Sequence, residues 1–152
     1  MIRVGRLSPA AEMISYAGIL PFAACLLGMF ALPTYELREL AQRAAVGLGA
    51  TALAFVGAVH WGLALAGLLN WSPLRLAGSV LPAIVGTMAV LLGGQRGLGL
   101  LVAGFGVFWL YEHRVLGAEL PEAYLRLRRN LSVALCMLLA ITMILSETAG
   151  LR

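Results

Sequence analysis

Long apolar runs limit what this chain can fold into more than any other feature of its sequence. Each run approaches or exceeds the roughly 20 residues that a helix needs to cross a bilayer. They lie at about 11–31, 44–69, 76–93, 97–113 and 130–149. Because a lipid-exposed backbone must satisfy its own hydrogen bonds, each run is expected to be a helix. The sequence therefore predicts an all-α, polytopic membrane helical bundle with five transmembrane helices.

The composition agrees with a single integral membrane domain over residues 1–152. Hydrophobic residues make up 61% of the chain and charged residues 12%, about half the charged share of a soluble domain. The net charge of +4 is spread over the loops, which favours contact with the bilayer and its anionic lipids over binding of nucleic acid. Cys25 and Cys136 lie inside apolar runs without metal-ligand spacing, so neither a disulfide nor a metal site is expected.

The arginines predict the orientation of the bundle. With the N-terminus inside, seven arginines fall on inner segments and four on outer segments. The inner group is Arg3, Arg6, Arg75, Arg114, Arg126, Arg128 and Arg129, and the outer group is Arg38, Arg43, Arg96 and Arg152. The positive-inside rule then predicts an N-in, C-out topology.

The N-terminal segment could pass for a signal peptide, since arginines precede an apolar stretch. Its length and the interruption by Pro21 favour a first transmembrane span instead. Ser8 followed by Pro9 is typical of a helix start, with a hydroxyl at the N-cap and a proline where no N–H is needed.

Two longer loops are expected at 32–43 and 117–130. The second predicts an amphipathic helix lying at the interface, with Pro121 in its first turn and Glu122 paired with Arg126. Its apolar face would consist of Leu120, Tyr124, Leu127 and Leu131. The candidate residues for contact with lipid headgroups or an interface are His113, Tyr124, Arg126, Arg128 and Arg129.

Stripes of small residues indicate which helix faces pack, because small side chains let membrane helices approach closely. The candidate packing positions are Gly57, Ala64, Gly67, Gly86, Gly99, Ala103 and Gly106. His60 and His113 each continue one of these stripes, so both histidines are expected to face protein rather than lipid.

The stretch FVGAVHWGLAL at 55–65 places an ionisable side chain, His60, inside a run that is apolar enough to cross a membrane. By depth, a candidate ligand-binding pocket in the inner half of the bundle collects Tyr16, His60, Trp61, Ser79, Pro82 and Trp109. His60 could be a buried structural histidine, a contact for a small lipophilic ligand, or part of a proton relay. Pro82 frees a backbone carbonyl that could accept a hydrogen bond from it.

Two further readings concern the end of the fourth span. His60 and His113 could both ligate a haem, although their expected depths differ too much for one iron. The run Glu112, His113 and Arg114 reads as a solvated helix end, or else as a docking edge for a partner or headgroup.

Three segments carry a resemblance to a known family: FVGAVHWGLAL, SVLPAIVG at 79–86 and LPEAYLRLRR at 120–129. Over about residues 15–140 the chain resembles a bacterial inner-membrane family of unknown function, related to the mitochondrial transmembrane protein sixty-nine. The resemblance implies a multi-pass protein of the bacterial inner (cytoplasmic) membrane with five spans and no settled activity. The mitochondrial relative carries arginine at the position of His60, which favours a structural or charge-pairing role over metal or haem ligation.

The sequence contains no arrangement typical of a hydrolase or transferase, such as a Ser/His/Asp set or a phosphate-binding glycine loop. We therefore expect a non-catalytic protein without a cofactor, an accessory subunit or assembly factor of a larger membrane complex, with a respiratory complex as the candidate. The alternative is a binding protein for a small lipophilic ligand such as a quinone near His60. A small transporter is a third reading, disfavoured by the near absence of charge at mid-membrane depth.

Overall fold

The computed structural model describes residues 8–151, so Arg3, Arg6 and Arg152 of the orientation argument lie outside the described residues. Within that range the secondary structure is helical. The helices are α1 (Pro9–Ala17), α2 (Leu20–Ala31), α3 (Tyr35–Leu65), α4 (Pro73–Leu92), α5 (Gly94–Tyr111) and α6 (Glu122–Thr148). A π-helical turn, Glu112–Leu116, follows α5 directly.

The first apolar run forms two helices joined at a bend. As predicted, α1 begins after Ser8, whose hydroxyl accepts a hydrogen bond from the Ala11 N–H at 3.1 Å. The helix ends at Ala17, and α2 begins three residues later with Pro21 in its first turn. Because Pro21 has no N–H to bond the Ala17 carbonyl, the chain bends at this point.

The expected loop at 32–43 was wrong, because α3 already begins at Tyr35. Thr34 caps it, its hydroxyl accepting from the Leu37 N–H at 3.4 Å. The second apolar run was expected to end at about residue 69, and α3 ends at Leu65. Gly67 then takes a φ of 70°, a left-handed conformation that glycine adopts without steric cost.

Four helical segments are long and apolar enough to cross a membrane: Pro9–Ala31, Tyr35–Leu65, Pro73–Leu92 and Glu122–Thr148. The protein is therefore an all-helical membrane bundle in its described part. The remaining long helix, α5, falls outside this set. It follows α4 through a tight turn at Gly93 and Gly94, where both residues have positive φ, 60° and 49°.

The predicted interfacial helix at 117–130 does not exist as a separate element. Instead, α6 runs without a break from Glu122 to Thr148, with Pro121 at its N-cap. The segment rich in arginine is thus the first part of the last spanning helix. Glu122 and Arg126 form no ion pair with each other among the described residues.

The long helix α3 lies at the centre and packs against α2, α4, α5 and α6. The buried core is formed by Leu53 with Leu98, Leu101, Phe105 and Leu139. Large apolar side chains also cover the exterior, as for Phe55, which is 70% exposed. An apolar exterior of this kind suits a lipid solvent rather than water.

The candidate packing residues of the small-residue stripes differ in their burial. Gly57 and Gly86 are buried where α3 and α4 cross, and Ala64 is buried near the end of α3. Four other candidate positions do not lie in the buried part of the bundle. Gly67 is exposed beyond α3, Ala103 and Gly106 are exposed on α5, and Gly99 is only partly buried. The face of α5 that packs inward carries its large apolar side chains instead.

Candidate functional site

Three ionisable side chains reach the same buried point from three different helical segments. Each continues the inward face of its own helix: His60 follows Val56 on α3, Glu112 follows Phe108 beyond α5, and Arg128 precedes Leu135 on α6. The exposed fractions of His60, Glu112 and Arg128 are 3%, 1% and 8%. The inward faces of the three helical segments therefore meet at charged side chains, at positions where an apolar residue is usual.

The carboxylate of Glu112 is the centre of this arrangement, which we call the Glu112 cluster (His60, Glu112, Tyr124 and Arg128). Its Oε1 lies 3.1 Å from His60 Nε2 and accepts a hydrogen bond from the Tyr124 hydroxyl at 3.1 Å. Its Oε2 accepts from Arg128 Nε at 3.2 Å. Both oxygens are thus engaged, and the guanidinium supplies the opposite charge that a buried carboxylate requires.

Two aromatic rings pack against the histidine. The His60 imidazole stacks on Phe108, with ring centroids 5.2 Å apart and an interplanar angle of 24°. The centroid of Tyr111 lies 6.2 Å from that of His60 and 5.8 Å from that of Phe108, so the three rings form one cluster. Two polar atoms of the cluster, His60 Nδ1 and Arg128 Nη2, are buried without a hydrogen-bond partner among the described residues. The cluster therefore engages both oxygens of Glu112, while Arg128 Nη2 keeps its N–H groups unpaired among the described residues.

A second set of contacts braces the same end of the bundle. Arg75, near the start of α4, forms an ion pair with Glu119 in the loop before α6. Trp61 and Trp71 meet edge to face, with centroids 5.3 Å apart, across the turn between α3 and α4. The Tyr111 hydroxyl donates to the Leu74 carbonyl at 3.3 Å. The ends of α3, α4, α5 and α6 are thus tied together around the Glu112 cluster.

The six residues of the predicted ligand pocket do not line one common cavity. Only His60, Trp61 and Ser79 of its six residues line one crevice. The volume of this crevice is about 10 Å³, room for at most one water molecule. Pro82 faces a separate groove between α4 and α5, and Trp109 faces another cavity. Tyr16 lies 43% exposed on α1, where its hydroxyl accepts from Asn130 Nδ2 at 3.3 Å.

The expectation that both histidines face the interior was wrong for His113. His113 is exposed and stacks on Trp109, with centroids 5.7 Å apart and planes 11° from parallel. His60 points instead to Glu112, so the two histidines do not face a common iron position. Among the described residues, no three His, Cys, Asp or Glu side chains come together to hold a metal ion.

Two expectations about the membrane interface also need correction. Glu112 is not part of a solvated helix end, since it is 1% exposed. Tyr124 and Arg128 both donate to Glu112, an inward contact that their assignment to the interface did not predict. The side chains of Arg126, Arg129 and His113 do lie exposed at this end. The sequence analysis thus assigned Glu112, Tyr124 and Arg128 to the interface and did not predict that they meet His60.

Two cavities flank Arg128. The first, which we call the arginine cavity, has a volume of about 380 Å³. Six of its eight lining residues are ionisable, and the full lining is Trp109, Glu112, His113, Glu122, Leu125, Arg126, Arg128 and Arg129. The second is an apolar cleft of about 390 Å³ between the α1–α2 bend, α3 and α6. Arg128 and Tyr124 are its polar side chains beside the cluster, and Ser15 is another.

The fold and this site define a class: a small, all-helical membrane protein whose buried carboxylate is shared among three helical segments. A family model described as a protein of unknown function (DUF3429) matches residues 7–144. The chain belongs to this family, which confirms the resemblance to a family of unknown function. Neither a curated protein nor a solved structure matches the chain.

Proposed function

We propose that the protein is a non-catalytic accessory subunit or assembly factor of a larger complex in the bacterial inner membrane. A respiratory complex is the first candidate, because we also propose kinship with the mitochondrial transmembrane protein sixty-nine. One observation carries the proposal: the outward face of α5 carries two small residues, Ala103 and Gly106, that no described part of the bundle covers.

That outward face includes Ala103 and Gly106, both exposed. A Cβ atom added to Gly106 would meet no atom within 4 Å. Small residues on a membrane helix allow another helix to approach closely, whereas contact with lipid alone gives no such reason for them. A helix of another membrane protein is therefore the occupant that we propose for this face.

The composition of α5 supports the same idea. It is 18 residues long and begins with Gly94, Gln95 and Arg96, and it is not among the helices apolar enough to cross a membrane by themselves. A helix of this kind is stabilised in a bilayer when neighbouring protein covers it. We propose that α5 is nonetheless the fourth of five crossings, covered on one face by the bundle and on the other by a partner.

The proposed contact between the outward face of α5 and a partner helix is tested by replacing Gly106 with leucine. In gentle extracts from native membranes, the wild-type chain should appear in intact-mass spectra together with other, larger chains. The leucine side chain should remove this association by blocking the close approach of a partner helix. Gly62→Leu is the matched control, since Gly62 is also an exposed helical glycine with no atom within 4 Å of an added Cβ.

The two variants separate docking from general effects of a bulky residue. Association lost in Gly106→Leu and kept in Gly62→Leu supports the proposed face. If the wild-type chain runs alone or only as copies of itself, the accessory role loses its basis. Equal loss of association in both variants would mean that a bulky residue on either exposed helix face disturbs the protein in the membrane, and would contradict a specific contact at α5.

The proposed N-in, five-span topology predicts opposite locations for two exposed loop positions, Pro33 and Ala118. With Cys25 and Cys136 replaced, a cysteine at position 33 should react with a membrane-impermeant maleimide in intact cells. A cysteine at position 118 should react only after the membrane is opened. Three helices, α3, α4 and α5, separate the two positions. Labelling of both from outside would therefore mean that α5 does not cross.

A second candidate function rests on the apolar cleft beside Arg128. Its volume of about 390 Å³ is within the range of small-molecule sites, and its walls, including Phe22 and Phe55, suit a lipophilic ligand such as a quinone. We propose this cleft, rather than the crevice at His60, as the place for such a ligand. In the same intact-mass spectra, the chain plus a few hundred daltons would support this function over the accessory role.

A further inference from the structure

The arginine cavity combines the chemistry of an anion site with a location at the membrane surface. Arg126, Arg128 and Arg129 line it from one side, and Trp109 and His113 from the other. It lies beside the first turns of α6, whose 27 residues exceed the roughly 20 that span the hydrocarbon core. The cavity therefore belongs at headgroup depth.

Arg128 differs from the surface arginines of the cavity because its side chain is buried and incompletely hydrogen-bonded. It is 8% exposed, lines the cavity, and uses Nε for Glu112. Its Nη2 is buried and has no hydrogen-bond partner among the described residues. An unpartnered guanidinium nitrogen costs free energy, and an anionic acceptor that reached this guanidinium from the cavity would remove that cost.

The charges that line the cavity do not cancel. Three arginines face two glutamates, Glu112 and Glu122, which leaves one positive charge in excess. Both oxygens of Glu112 are already engaged by Arg128 and its other partners. The exposed Arg126 and Arg129 form no ion pair among the described residues. A single excess positive charge matches a phosphodiester, which carries one negative charge.

We propose that the arginine cavity binds a phosphate anion, held by the free donors of Arg128 together with Arg126 and Arg129. The planar guanidinium fork matches the tetrahedral oxygens of phosphate and donates two hydrogen bonds at once. Trp109 beside the arginines suits the membrane interface, where its ring packs against acyl chains. The phosphate group of an anionic lipid headgroup and free phosphate share this chemistry.

The experiment uses the full chain in nanodiscs of phosphatidylcholine with added phosphatidylglycerol, whose retention by the protein is followed by native mass spectrometry. Arg126→Gln combined with Arg129→Gln should weaken phosphatidylglycerol retention, by about fivefold for each arginine. Both side chains are exposed, so the fold should survive. Arg114→Gln is the matched control, since Arg114 is exposed at the same end but does not line the cavity.

A second arm adds inorganic phosphate to the detergent-solubilised protein and measures its thermal stabilisation. Arginine-dependent retention of phosphatidylglycerol, without an effect of inorganic phosphate, identifies the lipid as the source. Arginine-dependent stabilisation by inorganic phosphate identifies a site for the free ion. The proposal is overturned if neither ligand distinguishes the double variant from wild type, or if Arg114→Gln weakens retention equally.

Discussion

Replacing Glu112 with glutamine is expected to lower the free energy of unfolding by about 3–5 kcal/mol, the usual cost of removing one partner of a buried ion pair. The carboxylate is 1% exposed and serves three donors, from His60, Tyr124 and Arg128. A neutral amide leaves the Arg128 charge uncompensated in a buried setting. Reversible unfolding of the purified protein in detergent, followed by circular dichroism, measures the loss.

Glu147→Gln is the control for this measurement. Glu147 also lies on a spanning helix, α6, but it is exposed and takes part in no ion pair among the described residues. Its replacement should change the unfolding free energy by at most about 0.5 kcal/mol, as is usual for surface sites. Equal effects of the two variants would contradict the central role of the Glu112 carboxylate.

A double variant tests whether the loss arises from the charge left behind. In Glu112→Gln combined with Arg128→Met, no buried charge remains, and the methionine fills much of the arginine's volume. The double variant should therefore be more stable than Glu112→Gln alone, since apolar replacements of whole buried pairs are often neutral. If the two losses simply add, the residues act independently and the pairing that the geometry indicates does not stabilise the fold.

The helical membrane class follows from the sequence because the bilayer leaves few alternatives for a long apolar run. The helix start at Ser8 could also be predicted from the sequence, since capping by a hydroxyl before proline is a local interaction. The start of α3 at Tyr35 could not be predicted in the same way. The residues from Tyr35 to Arg43 are polar enough to read as a loop, but Thr34 caps them and the rest of α3 continues them.

The buried charge cluster carried a signal that sequence reasoning could have used. Leu98, Leu101, Phe105 and Phe108 recur at helical spacing, and Glu112 takes the next position of that face. On α6, Arg128 opens the inward series that continues through Ser132 and Leu135. Extending the large-residue faces, rather than the small-residue stripes, places both charges inside the bundle.

The pairing itself could not be read from one sequence. His60, Glu112 and Arg128 come from three helical segments, and their meeting depends on the rotation of each helix about its axis. A small-residue stripe does not fix that rotation, because it marks any close contact, within the bundle or with another chain. On α3 and α4 the stripe faces inward, as at Gly57, whereas on α5 it faces outward, as at Gly106.

Gly57→Ala is the second variant expected to have a large effect, a loss of about 1–3 kcal/mol from overpacking. A Cβ at this position would lie 2.6 Å from the Ser79 carbonyl oxygen and 3.1 Å from Pro82 Cγ. Neither neighbour can move as a flexible side chain would, because one is backbone and the other is a ring within α4. The two helices would have to separate, and His60 lies three residues further along α3.

Gly47→Ala separates this contact from the general effect of replacing a helical glycine. Gly47 lies on the same helix, and an added Cβ there meets nothing within 4 Å. Its replacement should be neutral or stabilise the protein by about 0.5–1 kcal/mol, since alanine restricts the unfolded chain. Opposite signs for the two alanines, measured by the same unfolding experiment, would establish that close approach of α3 and α4 at Gly57 determines stability. Equal signs would mean that the α3–α4 contact is loose enough to accept a methyl group, so that Gly57 does not set how closely the helices approach beside His60.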